Sequence, residues 1–205
     1  ERVREKTEAA VEAGYRVLKL KLGTNRDEEL LDAVREAAPD ATLRVDANEA
    51  WTPREAVEKS QLLADHDVEF VEQPVPAEHP DGLRYVYERS KVPVAVDESV
   101  ETLTDVPQVA DACDIVNLKL MKCGGLSEAQ RMIHAARAHG LEVMLGCMVE
   151  TNAAIAAACH LAPLLDYADL DGALLLDEDV YDGLDLSDGE IRLPDDRSGT
   201  GASPI

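Results

Sequence analysis

Short apolar runs alternate with helically spaced segments along the whole chain. Seven runs rich in valine, isoleucine and leucine are strand candidates: VLKLKLG from Val17, TLRVDAN from Thr42, VEFVEQP from Val68, VPVAVDES from Val92, DIVNLKL from Asp114, LEVMLGCM from Leu141 and YADLDG from Tyr167. Between them apolar residues recur at helical spacing, as at Leu30, Leu31, Val34 and Ala37, or Val57, Leu62 and Leu63. Thr52 with Glu55, and Ser127 with Gln130, read as capping boxes; Gly14 and Gly140 read as helix ends. Strands that alternate with single helices run parallel, because each helix carries the chain back along the sheet before the next strand begins. The predicted fold class is α/β, and the recurrence of strand ends is close to the unit of a (β/α)8 barrel. A doubly wound sheet is the alternative. Charged residues end nearly every strand, which favours a ring of groups at a barrel mouth over the single crevice of an open sheet.

Composition narrows the class. With 205 residues, 45% of them hydrophobic, and no Pro/Gly/Ser-rich linker, the chain predicts one domain spanning 1–205 around one substantial core. Acidic residues outnumber basic ones 42 to 20, and the net charge of −22 argues against a nucleic-acid partner, whose phosphates need cations. The acids are spread along all the helices, as on a halophilic surface adapted to high salt; an ordinary acidic cytosolic enzyme is the other reading. The opening ERVREKTEAAVEAG is a charged amphipathic segment without an apolar signal core, and no run is long enough to cross a bilayer. A soluble, cytoplasmic protein with no membrane partner is expected. The four cysteines, Cys113, Cys123, Cys147 and Cys159, show neither a CxxC pair nor zinc spacing and read as reduced core thiols. The five histidines, His66, His79, His134, His139 and His160, lack ligand spacing and read as structural.

The chemistry sits at the strand ends. Asp46, Glu72 and Asp97 close three successive apolar runs in VDAN, VEQP and VDES, 26 and then 25 residues apart. Three carboxylates brought together there repel one another and call for a hard divalent cation with oxygen ligands, magnesium being the natural candidate. Any one of them alone would read as a helix cap. Lysine occurs only seven times, yet four lysines fall in two strand segments, Lys19 and Lys21 in LKLKLG and Lys119 and Lys122 in NLKLMKCGG. Strand alternation gives Lys19 and Lys21 the same face, where two neighbouring ammonium groups favour the loss of one proton and so a lysine base. Lysines snorkelling to solvent would explain one pair but not the second.

In this order KLKLG, VDANEAW, VEQPV, VAVDES, NLKLMKCGG and GCMVET resemble the barrel of the enolase superfamily, and within it the muconate-lactonizing subgroup. The mandelate-racemase type would be expected to place a histidine where this chain has LEVMLGCM. The resemblance implies Asp46, Glu72 and Asp97 as Mg2+ ligands, Lys21 and Lys119 as the two acid/base residues, and Lys19 as electrostatic support for Lys21. It implies a 1,1-proton transfer at a carbon next to a carboxylate. The pair Asp169 and Asp171 in YADLDG resembles the DxD pair of dipeptide epimerases, implying that both carboxylates receive the free ammonium of an L-Ala-D/L-Glu-like dipeptide. Cys147 and Met148 are expected to line the substrate site, with Glu150 behind them.

The resemblance also implies parts outside this sequence: an N-terminal capping domain and the first barrel strand, with the tail from about residue 183 returning toward the cap. An incomplete barrel would leave an open edge. A homo-oligomer is left open. The alternatives are another enzyme of the subgroup (a cycloisomerase, an o-succinylbenzoate synthase or an N-acylamino-acid racemase), a truncated inactive scaffold, or a phosphate-binding barrel. For the last, only the short CGGL around Gly124 and Gly125 speaks.

Overall fold

The charged opening segment forms helix α1 (Arg2–Glu12), and the KLKLG run forms strand β1 (Val17–Lys21). A computed structural model describes residues 1–194 and 197–205. The chain divides into two units, Glu1–Ser99 with Asp111–Ile115, and Val100–Ala110 with Val116–Ile205.

In the first unit β1 is followed by α2 (Asp27–Ala37), β2 (Thr42–Asp46), α3 (Pro53–Asp65), β3 (Val68–Glu72), α4 (Pro80–Tyr87) and β4 (Val94–Val96). The four strands lie side by side in chain order and pair in parallel, as the alternation with helices requires. Leu43, Val45, Phe70, Val71, Val94 and Val96 are buried on these strands, and Leu31, Val34 and Leu63 come from the helices. The Thr52 box is formed: Thr52 Oγ1 accepts from the Glu55 N–H, and the Glu55 carboxylate accepts from the Thr52 N–H at 2.9 Å. The loop leaving β1 is pinned by Asp27, whose carboxylate accepts from the N–H groups of Gly23 (3.0 Å) and Thr24 (2.8 Å) and from Lys59 Nζ (2.7 Å). This fixes the exit of the strand that carries Lys19 and Lys21.

His66 is structural, as expected. At the end of α3 its ring contacts Asp32 Oδ1 at 2.9 Å and the Leu62 carbonyl at 2.8 Å. Burial works to lower its pKa, but these two acceptors outweigh burial and leave it raised. A raised histidine contributes stability that is full below its ordinary value of about 6.5 and is lost as pH rises through the higher folded value. Asp32→Asn is therefore expected to lower the melting temperature at about pH 5.5 and to change it little at about pH 9, by the same linkage. Equal losses in melts at both pH values would reject this role.

The second unit holds α5 (Val106–Val109), β5 (Ile115–Lys119, all but its first residue), α6 (Leu120–Cys123), α7 (Leu126–Ala138), β6 (Glu142–Gly146), α8 (Asn152–Cys159) and β7 (Tyr167–Asp169). Strands β5, β6 and β7 are neighbours in chain order, and β6 pairs with β7 in parallel. Helix α7 buries Ala129, Met132, Ile133 and Ala136, the spacing of one helical face. The Ser127 capping box is not formed. The helix begins at Leu126 with Gly125 as its N-cap and no side-chain cap, so Ser127 lies inside the first turn. Gly124 and Gly125 carry φ of 93° and 124°, and this glycine-specific backbone sets the helix entry instead of a side chain. Just before the tail from about 183, β8 (Tyr181–Asp182) pairs antiparallel with β9 (Ser203–Pro204) at its end, and within the tail Asp185 bridges Arg192. Asp195 and Asp196 lie outside the described residues.

All seven predicted strands are present, shortened at their ends. They are one fewer than the eight of a closed (β/α)8 barrel. Among the described residues no helix is long and apolar enough to cross a membrane.

Candidate active site

In the first unit the register of β1 on β2 sets Lys19 opposite Arg44 and Lys21 opposite Asp46, and β2 on β3 sets Asp46 opposite Glu72. The consequence is a shared electrostatic cluster. Lys21 Nζ donates to Asp46 Oδ2 at 2.6 Å, while Lys19 Nζ lies 3.4 Å from the same oxygen and 2.7 Å from Glu72 Oε2. Both lysines therefore address one carboxylate, from the one strand face that alternation predicts for them. Their surroundings differ: the Lys21 side chain is 61% exposed and that of Lys19 21%, whereas Glu72 is fully buried. Burial raises the Glu72 pKa. Lys19 offsets this, and the charges of Asp46 and Asp97 push it up further. Asp97, buried just past β4, is thus within electrostatic reach of Glu72. Glu98 is also raised, by burial first and then by Asp97, with a smaller contribution from Asp46.

The turns that carry these acids use backbone that side chains usually avoid. Asn48, Glu49 and Gln73 have φ of 40°, 65° and 35°. Asp46 Oδ1 accepts from the Asn48 N–H at 2.9 Å, and Asn48 Nδ2 donates to Glu98 Oε1 at 3.3 Å. Sequence reasoning missed Gln73 and Asn48. The available signal was a glutamine at the buried end of an apolar strand, where a polar side chain must find partners.

The donor set of Asp46, Glu72 and Asp97 suits a hard divalent cation: all its donors are carboxylate oxygens, and burial first, then the charges of Asp46 and Asp97, raise Glu72, a cost such an ion relieves. Among the described residues no three His, Cys, Asp or Glu side chains are drawn up at chelating distance. Lys19 Nζ lies within 3.4 Å of Asp46 Oδ2 and 2.7 Å of Glu72 Oε2.

In the second unit Lys119 ends β5 and is 9% exposed, with its Nζ 3.7 Å from Met148 Sδ. Lys122 is committed elsewhere, donating to the carbonyls of Val100 at 3.1 Å and Asn117 at 3.3 Å, which ties down the turn that follows Lys119. Asp169 ends β7, and Asp171 precedes the short 3-10 turn Gly172–Leu175, with Leu170 buried between them. The DxD pair and the GCM segment are brought together. Burial pushes the Cys147 thiol up to about 11, the Gly172 N–H partly counters it, and the charges of Asp169, Asp171 and Glu150 raise it further. Cys147 is therefore a poor nucleophile near neutral pH. The approach is close enough to demand glycine: a Cβ on Gly172 would come within 2.0 Å of the Met148 carbonyl oxygen. Glu150 supports this segment by accepting from the Met148 N–H at 2.9 Å.

The chain joins parallel α/β architecture to acids and lysines at its strand ends, the end at which barrel domains carry their sites. The family model for the enolase C-terminal domain-like proteins matches residues 2–204, and the chain belongs to that family. It is 40% identical to the L-Ala-D/L-Glu epimerase of Bacteroides thetaiotaomicron over 88% of this chain and 47% of that protein. It is 42% identical to the hydrophobic dipeptide epimerase of Roseobacter litoralis over 97% of this chain and 59% of that protein. The crystal structure of the dipeptide epimerase from Enterococcus faecalis V583, complexed with Mg and the dipeptide L-Leu-L-Tyr, superposes with a TM-score of 0.91 at 37% identity, covering 98% of this chain and 59% of that one. The chain thus spans about half the length of the curated relatives it matches.

Proposed function

We propose that this chain is the barrel part, over residues 1–205, of a Mg2+-dependent dipeptide epimerase that inverts a carbon next to a carboxylate by 1,1-proton transfer. The observation that carries the reading is the pair of lysines on one face of β1 against the buried acids Asp46 and Glu72, in a chain whose relatives include dipeptide epimerases. Asp46, Glu72 and Asp97 hold the metal in this reading. A hard divalent cation there supplies positive charge to the substrate carboxylate as the α-proton leaves.

Lys21 and Lys119 are the acid and base. One removes the α-proton and the other returns a proton to the opposite face, so the carbon inverts without a covalent intermediate. Lysine suits the task because an amine can give up its proton, whereas arginine stays charged. Lys19 offsets the rise that burial gives the Glu72 carboxyl and tunes Lys21 through the Asp46 carboxylate they share. Asp169 and Asp171 receive the substrate ammonium, and Cys147 and Met148 line its path. The DxD pair favours a dipeptide over the substrates of cycloisomerases, o-succinylbenzoate synthases and N-acylamino-acid racemases, which lack a free α-ammonium. We include in this reading a cytoplasmic location, a high-salt adapted surface, and a tail from about 183 that returns toward an N-terminal cap.

The test is proton NMR of L-Ala-L-Glu in deuterated, high-salt buffer with the protein, first with magnesium and then with chelator. Magnesium-dependent deuterium entry at the Glu α-carbon with appearance of the D-Glu isomer supports the reading. No exchange after an N-terminal cap has been supplied rejects it. Asp169→Asn is expected to lower kcat/KM for the dipeptide by about 10-fold or more while leaving metal affinity unchanged, since a charge-assisted hydrogen bond to the ammonium contributes about 1.5–3 kcal/mol. An unchanged dipeptide preference in a substrate panel would remove the ammonium role.

A further inference from the structure

We propose that Gln73 is the positioning residue of the carboxylate centre: its side chain joins the turns carrying Glu72 and Asp97, and its backbone carbonyl reaches the turn after Asp46. The proposal rests on the metal-site reading above. Gln73 follows Glu72 directly and is fully buried. Its amide Oε1 accepts from the N–H of Asp97 at 3.0 Å and of Ser99 at 3.1 Å, and its Nε2 donates to the Val75 carbonyl at 2.9 Å and Ser99 Oγ at 2.8 Å. Its backbone N–H donates to the Ala95 carbonyl at 2.9 Å, and its own carbonyl accepts from the Glu49 N–H at 2.9 Å. Both donors and both acceptor positions of the side-chain amide are used.

These partners lie in three places: the turn after Asp46, the turn after Glu72, and the backbone of Asp97 itself. The backbone of Gln73 takes φ of 35° immediately before Pro74, a conformation that a residue preceding proline ordinarily avoids. Such outliers persist where the surroundings over-determine them, and they gather at functional sites. The pattern also specifies the residue type. Glutamate would turn an acceptor toward the Val75 carbonyl and add a further charge beside three acids, asparagine is one methylene shorter, and methionine has the length but none of the hydrogen bonds. Groups that orient metal ligands from behind typically change metal affinity by about 10- to 100-fold when replaced.

The test uses Mn2+ as a spectroscopic stand-in for magnesium. It is titrated into the 205-residue chain and into Gln73→Met and Ser99→Ala, with free Mn2+ followed by electron paramagnetic resonance and thermal melts run in chelator and in excess metal. The expected result is a Kd weakened by about 10- to 100-fold in Gln73→Met, with a matching loss of the metal-induced rise in Tm, and a smaller weakening in Ser99→Ala. A Gln73→Met protein that melts lower in chelator yet binds Mn2+ like the parent would assign Gln73 a purely structural role and overturn the proposal. Should Gln73→Met fail to fold, parental Mn2+ affinity in folded Ser99→Ala overturns it equally. A folded parent chain that binds no Mn2+ rejects the metal-site reading itself, and the positioning role falls with it. Parental binding with unaffected variants rejects the positioning role alone.

Discussion

Lys119→Ala is expected to slow proton exchange at the substrate α-carbon by about 10²- to 10⁴-fold for one stereoisomer and far less for the other, with Lys21→Ala showing the reverse preference. The asymmetry follows from the proposed chemistry, in which each lysine serves one face of the carbon. The two sites also differ physically. Lys119 is 9% exposed at the end of β5, with its Nζ 3.7 Å from the thioether of Met148. Lys21 is largely exposed and donates to the Asp46 carboxylate at 2.6 Å. Single-turnover washout of label from each isomer measures the two half-reactions separately. Equal losses for both isomers in both variants would count against the two-base scheme. Lys119→Arg is expected to restore charge and bulk without restoring exchange, because guanidinium does not give up its proton at working pH.

The second large effect falls on the folded state. Removing one partner of a buried ion pair leaves the other charge uncompensated, a change that typically costs about 3–5 kcal/mol. Lys19 meets this description, since its ammonium lies 2.7 Å from an oxygen of fully buried Glu72 and 3.4 Å from buried Asp46. Lys19→Met is therefore expected to lower unfolding stability by about 3 kcal/mol in chelator at neutral pH. Adding Glu72→Gln, which removes the stranded charge at nearly constant shape, is expected to return most of that loss. Urea unfolding of the parent, both single variants and the double variant closes the cycle and isolates the pair. The comparison belongs in high salt, where repulsion among the acidic surface groups is screened while the buried pair is screened much less. Additive losses in the double variant would show that Lys19 does not act through Glu72.

Much of the architecture was legible from periodicity alone. The seven strands and the helices between them follow from apolar runs and helical spacing, because each element must bury one side and the period records which. Lys19 and Lys21 share a face for the same reason, and both reach Asp46. The Thr52 cap was equally local and is formed. The Ser127 cap was not, because two glycines with positive φ supply a helix entry that their composition permits but does not specify.

The order of elements, the proposal of carboxylates and lysines as the reactive groups, and the resemblance to a family came from sequence, since each depends on residue type and spacing within one βα unit. Distances between units of structure far apart in the chain were not. That Lys19 lies between Asp46 and Glu72, that Asp169, Asp171 and Glu150 all raise the Cys147 thiol, and that Gln73 spends its whole hydrogen-bonding capacity on the turns around the acids were decided by tertiary structure. The physical reason is common to all three: electrostatic and hydrogen-bond energies depend on separations of a few ångströms and on exclusion of water, and both are set only when parallel strands register against one another.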